Sequence, residues 1–98
     1  MLQLDLPRYA ISRLCRRHRI RRLAVFGSAL RDEFTPDSDV DLLVEFDPAA
    51  KVGLMFFAIE DELAELIGRK VDLNTASFLN KRFRDRVVAE AQVIYEGP

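Results

Sequence analysis

Blocks of apolar and polar residues along this chain switch between helical and extended spacing. Pro7 suits the first turn of a helix. Tyr9, Ala10, Leu14 and Cys15 follow at helical intervals, which predicts a helix from Pro7 to His18. The apolar run Leu23–Phe26 ends at Gly27 and reads as a strand. Ser28 is a good capping residue, so a short helical turn from Ser28 through Glu33 is expected. The stretch "TPDS" is loop chemistry with Pro36 as its breaker. Beyond it, "DVDLLVEF" is rich in Val and Leu and reads as a central strand, stopped by Asp47-Pro48.

From Gly53 to Ile67 the residues Phe56, Ile59, Leu63, Leu66 and Ile67 recur at three and four, which predicts an amphipathic helix ending at Gly68. Phe56 belongs to its core stripe, and Phe57, off that stripe, is the aromatic suited to touch a partner. "RKVDLNT" is a third short strand, and Ser77–Ala91 a last helix with Phe83, Val87 and Ala91 on one face. "VIYE" is either an edge strand or a frayed tail. Helices alternating with short strands imply an α/β (α+β) fold, a small mixed sheet with helices packed on it, as a single domain over residues 1–98.

Composition narrows the class of protein. The 98 residues are 49% hydrophobic, enough for a core, and no apolar run approaches the roughly 20 residues that cross a bilayer. Asp5 interrupts the N-terminus, which therefore does not read as a secretory signal. Cys15 is alone and suits a reducing compartment, so a cytoplasmic location is expected. A net charge of −1 argues against general nucleic-acid binding. Yet eight arginines crowd the first 31 residues, either as a solvated helix face and its exit turn or as a surface for phosphates or an acidic partner. His18 is expected to be exposed at a helix end, with no second His or Cys spaced to join it on a metal.

Asp39 and Asp41 bring chemistry into this picture. Residues two apart in a strand point to one face, so two carboxylates stand side by side in an apolar setting. They repel and lose hydration there, and Mg²⁺ is the simplest countercharge, since it takes one or two carboxylates and completes its shell with water and substrate phosphate. Gly27 lets the backbone turn sharply and approach a ligand, and Ser28 adds a hydroxyl. Arg31, one turn on, can donate to the same phosphates. Asp72, at the centre of its strand, is the candidate third acid. With its strand beside that of Asp39 and Asp41, it would be a ligand in a two-metal site and the base for an attacking hydroxyl. Gly, Ser, Asp and Asp at fixed spacing arise by chance on the order of 10⁻⁵ per starting position, so the pattern is a strong signal.

The run "GSALRDEFTPDSDVDLLV" resembles the Gly-Ser, ten residues, Asp-x-Asp signature of the DNA polymerase β-like nucleotidyltransferase superfamily. The short chain, strand-borne Asp72 and terminal "VIYE" resemble its minimal nucleotidyltransferase (MNT) branch. The resemblance implies a nucleotidyltransferase fold, Mg²⁺ and ATP. Gly27 and Ser28 would hold the triphosphate, and Asp39, Asp41 and Asp72 would carry metals and base. It also implies a partner, a HEPN-domain ribonuclease toxin, to whose tyrosine the antitoxin transfers AMP. One departure is Leu30 and Asp32, which stand where many members carry a small residue and a glycine. That departure favours an alternative in which the chain is a binding-type antitoxin that masks its toxin. Transfer to a small molecule such as an aminoglycoside ranks last, because 98 residues leave little room for a domain to cradle it.

Overall fold

The computed structural model describes residues 2, 4–31 and 34–97. Helix α1, Arg8–Arg17, buries Ile11, Leu14 and Cys15, three neighbours at i, i+3 and i+4. The predicted helix is there, but Tyr9 lies off its buried stripe and is 75% exposed. Arg19 at φ 59° makes the left-handed step that turns the chain into β1, Ile20–Phe26. This strand starts earlier than its apolar run because Arg21 and Arg22 face outward against acids of neighbouring strands. Arg22 reaches Glu96 at 2.6 Å and Arg21 lies 3.8 Å from Glu45. With Arg17 on Glu62 and Arg19 3.7 Å from Asp47, much of the basic run is a solvated, ion-paired face. His18 is not exposed: its side chain is 12% accessible, with Nε2 3.0 Å from Glu62 Oε1 on the next helix.

A 3-10 turn, Gly27–Leu30, leads through the loop to β2, Val40–Phe46. Ser28 does not cap that turn. Phe26 holds the capping position in an extended conformation, and Ser28 lies inside the turn, its carbonyl accepting from Arg31 N–H at 2.9 Å. The expected extension through Glu33 falls at 32 and 33, outside the described residues. Helix α2, Met55–Ile67, ends at Gly68 at φ 76°, the left-handed residue expected there. Strand β3, Val71–Asn74, follows, then a 3-10 turn at Ala76–Phe78, helix α3, Lys81–Glu90, and strand β4, Gln92–Glu96. "VIYE" is thus an edge strand.

The sheet runs β3-β2-β1-β4, with β2 and β3 parallel and the other pairs antiparallel, a mixed sheet as expected. Alternation along the strands gives it two unlike faces. Leu23, Val25, Val40, Leu42, Val44, Val71 and Leu73 turn one way and are buried with Ile59 and Leu63 of α2 and the stripe of α1. Asp41, Leu43, Asp72 and Asn74 alternate with them and turn the other way. Cys15 is a core residue: burial pushes its thiol up to about 12, which leaves it unreactive. Helix α3 departs from expectation. Phe83 and Val87 do share a face, but none of the helix's side chains is buried, and Ala91 is its C-terminal cap. No helix among the described residues is long and apolar enough to cross a membrane.

Candidate active site

The acids meet because of sheet register. In the parallel pairing of β2 and β3, Asp41 stands directly opposite Asp72, and in the antiparallel pairing with β1 it stands opposite Phe26, the residue before Gly27. Asp39 lies two positions before Asp41, just ahead of the strand. The three carboxylates predicted from the sequence therefore come to one end of the open sheet face, beside the glycine turn.

Gly27 is fitted to that place on two counts. It sits at φ +76°, and a Cβ there would lie 2.3 Å from Asp41 Oδ2. The backbone at Gly27 runs against the carboxylate with no room for a side chain. Asp41 is half-buried, and its carboxyl is held above the usual carboxylate range, first by burial and then by repulsion from Asp72 and Asp39. A buried negative charge without a countercharge is the condition that a cation relieves. Asp39 has partial relief from Lys70, whose Nζ lies 3.9 Å from Oδ2. Among the described residues no three His, Cys, Asp or Glu side chains form a closed ligand set. The acids share a face without closing on one point, which matches a cation that takes part of its shell from water and phosphate.

The loop that delivers Asp39 is pinned from the turn between α2 and β3. Arg69 donates from Nη1 to the Thr35 carbonyl at 2.9 Å, and its guanidinium lies 4.4 Å from the centre of the Phe34 ring. Within the loop, Ser38 N–H donates to the Thr35 carbonyl at 3.0 Å, and Thr35 N–H to Ser38 Oγ at 3.0 Å. Val40 N–H then donates to the Lys70 carbonyl at 2.9 Å, starting the pairing of β2 with β3. The outer edge of β3 is held by α2: Leu73 N–H donates to Glu60 Oε2 at 2.8 Å, next to Asp72. Arg69, Lys70 and Glu60 are positioning residues that the sequence pattern did not reveal. Each sits where a solvated charge is the ordinary reading, and only the fold shows what it holds.

Arg31 is brought to the turn as expected, and its Nη2 lies 3.8 Å from Glu90 Oε2 of α3. Leu30, which stands in place of a small residue, packs half-buried against the core. Asp32 lies outside the described residues. Further along the open face, Ala24, Leu43, Val88 and Val93 border an apolar hollow of about 290 Å³ that includes none of the three carboxylates.

Comparison with known proteins agrees with this fold. The chain is 40% identical over 76 residues to the protein adenylyltransferase MntA of Thermococcus cleftensis, a match covering 78% of this chain and 74% of that one. It is 46% identical over 57 residues to a Methanocaldococcus jannaschii protein assigned as a protein adenylyltransferase, covering 58% of this chain but only 57% of that relative. Among solved structures, one assigned as a minimal nucleotidyltransferase superposes with a TM-score of 0.71 at 39% identity, over 86% of this chain and 85% of that one. A tri-AMPylated Shewanella oneidensis HEPN toxin in complex with MNT antitoxin shares the fold at 18% identity and a TM-score of 0.64, over 92% of this chain and 70% of that one. The model of the nucleotidyltransferase domain matches residues 8–94, the whole span from α1 into β4, and the chain belongs to that family.

Proposed function

We propose that the chain is an antitoxin that transfers AMP from ATP to a tyrosine hydroxyl of a cognate HEPN ribonuclease toxin, in the cytoplasm. The observation that carries the reading is Asp41 set opposite Asp72 with Gly27 against its carboxylate. Its relatives, named protein adenylyltransferases, support the direction of transfer. In the reaction the acceptor oxygen attacks the α-phosphorus, the bond to the β-phosphate oxygen breaks, and pyrophosphate leaves. The half-exposed position of Asp39 and the exposed one of Asp72 leave both reachable from solvent. Asp72, on the open sheet face, takes the proton from the acceptor hydroxyl.

The chemistry of the donors suits a divalent cation completed by water and phosphate: carboxylates on one face, with Asp41 held above the usual carboxylate range first by burial and then by Asp72 and Asp39. Asp39, Asp41 and Asp72 would hold Mg²⁺, which supplies charge neutralisation on the phosphates when bound. Gly27, through its bare backbone, Ser28 through its hydroxyl and Arg31 through its guanidinium would hold the triphosphate. Leu54, Met55, Phe57 and Phe78 are exposed, and the rings of Phe57 and Phe78 both pack edge-on against Phe56, an apolar surface of the kind a protein partner covers.

The test is transfer of label from α-labelled ATP to a HEPN-type toxin, sought first in the adjacent reading frame. The Asp39→Asn, Asp41→Asn double variant should lose transfer by about a thousandfold while staying folded. Unchanged transfer would sink the reading, and label on a residue other than tyrosine would correct the acceptor. The exposed patch also favours a second reading, neutralisation by masking alone. It wins if the double variant still protects cells from the toxin.

A further inference from the structure

Helix α3 contributes nothing to the buried core, yet it carries an ordered face. Phe83, Arg86, Val87 and Glu90, spaced three and four apart, line a cavity of about 270 Å³ whose other wall is Gly27 and Arg31. Phe83 is 44% exposed, a large ring left beside this cavity and outside the core. Glu90 lies between two guanidinium groups: Oε1 is 3.2 Å from Arg86 Nε and Oε2 is 3.8 Å from Arg31 Nη2. Gly27 lines this cavity and also lies against the Asp41 carboxylate, so the cavity adjoins the acids through one side-chain-free residue.

We propose that this cavity is the nucleoside end of the substrate site. Phe83 stacks on the base, and Arg86 joins Arg31 on the phosphates, which displace Glu90 from between them. This rests on the nucleotidyl-transfer reading above and adds to it the residues that hold the nucleoside. The chemistry of the walls favours it. An aromatic face accepts any base, and a pair of arginines around a carboxylate is already shaped for an anion. The ion pairs of Glu90 are solvent-exposed and contribute little, whereas forked hydrogen bonds from arginine to phosphate are among the strongest polar contacts. Exchange of the carboxylate for a phosphate is therefore favoured by the stronger contact that phosphate makes with arginine.

Calorimetric titration of the whole chain with ATP and with inorganic tripolyphosphate, both with Mg²⁺, tests this. Phe83→Leu, which keeps an apolar side chain but no ring, should weaken ATP about tenfold and leave tripolyphosphate unchanged. Phe83→Tyr should retain ATP affinity. Arg86→Gln should weaken both ligands, and Glu90→Gln should tighten both. ATP bound equally well by Phe83→Leu, or equal loss of both ligands, would overturn the inference. Wild-type protein that binds tripolyphosphate but gains nothing from the nucleoside overturns it too, leaving the phosphate grip intact. Wild-type protein that binds neither defeats the transfer reading itself, and the inference with it.

Discussion

The two faces of the sheet are built from the same strands by alternate residues, and they obey opposite rules. On one, Leu23, Val25, Val40, Leu42, Val71 and Leu73 meet α1 and α2 and exclude water. On the other, Asp41 and Asp72 stand side by side, and α3 leaves all its side chains at least partly exposed. The packed face stabilises the fold by apolar burial. The open face gives some of that stability back, since folding brings like charges together and partly dehydrates one of them. Stability is concentrated on one side and chemistry on the other, so substitutions on the two sides should separate the two properties.

The largest effect on folding is expected on the packed side. Leu63 is fully buried, and Leu63→Ala should cost about 3 kcal/mol, lowering Tm by roughly 12–20 °C while nucleotide transfer per folded molecule stays near wild type. A denaturant titration alongside label transfer checks both halves. If activity fell with the fold still intact, the separation of the faces would be broken.

Gly27→Ala lies on the boundary and should act in both ways. A side chain at φ +76° is strained, and its Cβ would press on Asp41 Oδ2, so the carboxylate must give way. We expect a loss of about 1–2 kcal/mol of stability but most of the transfer activity. An activity loss no greater than the loss of folded protein would mean that the close approach of Gly27 to Asp41 has no bearing on the chemistry.

The smallest effect has the opposite sign. Folding raises the pKa of Asp41, so its contribution to stability is present below its unfolded value near 3.8 and is lost as pH rises through the folded value. At neutral pH the charged group therefore destabilises the protein. Asp41→Asn should raise Tm at pH 7 by roughly 2–4 °C, a gain that shrinks as pH falls toward 4. Thermal unfolding of both proteins across that range reads it directly. A variant less stable than wild type at pH 7 would show that Asp41 is held by favourable contacts, and the contrast between the faces would weaken.

How far the sequence reached can be seen from particular residues. Asp39 and Asp41 were legible because a period of two in an apolar run leaves few explanations for paired acids. Gly27 was legible as a turn, though its contact with Asp41 was not, since contact depends on β1 and β2 pairing with Phe26 opposite Asp41. The capping role expected for Ser28 failed because the turn begins one residue earlier, at Gly27 after extended Phe26. His18 read as exposed because Glu62, which partners it, is 44 positions away. The face of α3 was found by periodicity, but periodicity says only that a face exists. It does not say whether core or cavity lies against it.

Local order is what the sequence alone determined. Spacing, turn residues and the Gly-Ser and Asp-x-Asp spacing specify helices, strands and the acids at the start of β2, because those features depend on neighbours within a few residues. The tertiary structure decided which distant pieces meet. The β2–β3 register sets Asp72 opposite Asp41, Arg69 pins the loop that carries Asp39, and α3 turns Phe83 and Arg86 toward Gly27. Those meetings come from the burial of one sheet face as a whole, and no short window of sequence contains the information that selects them.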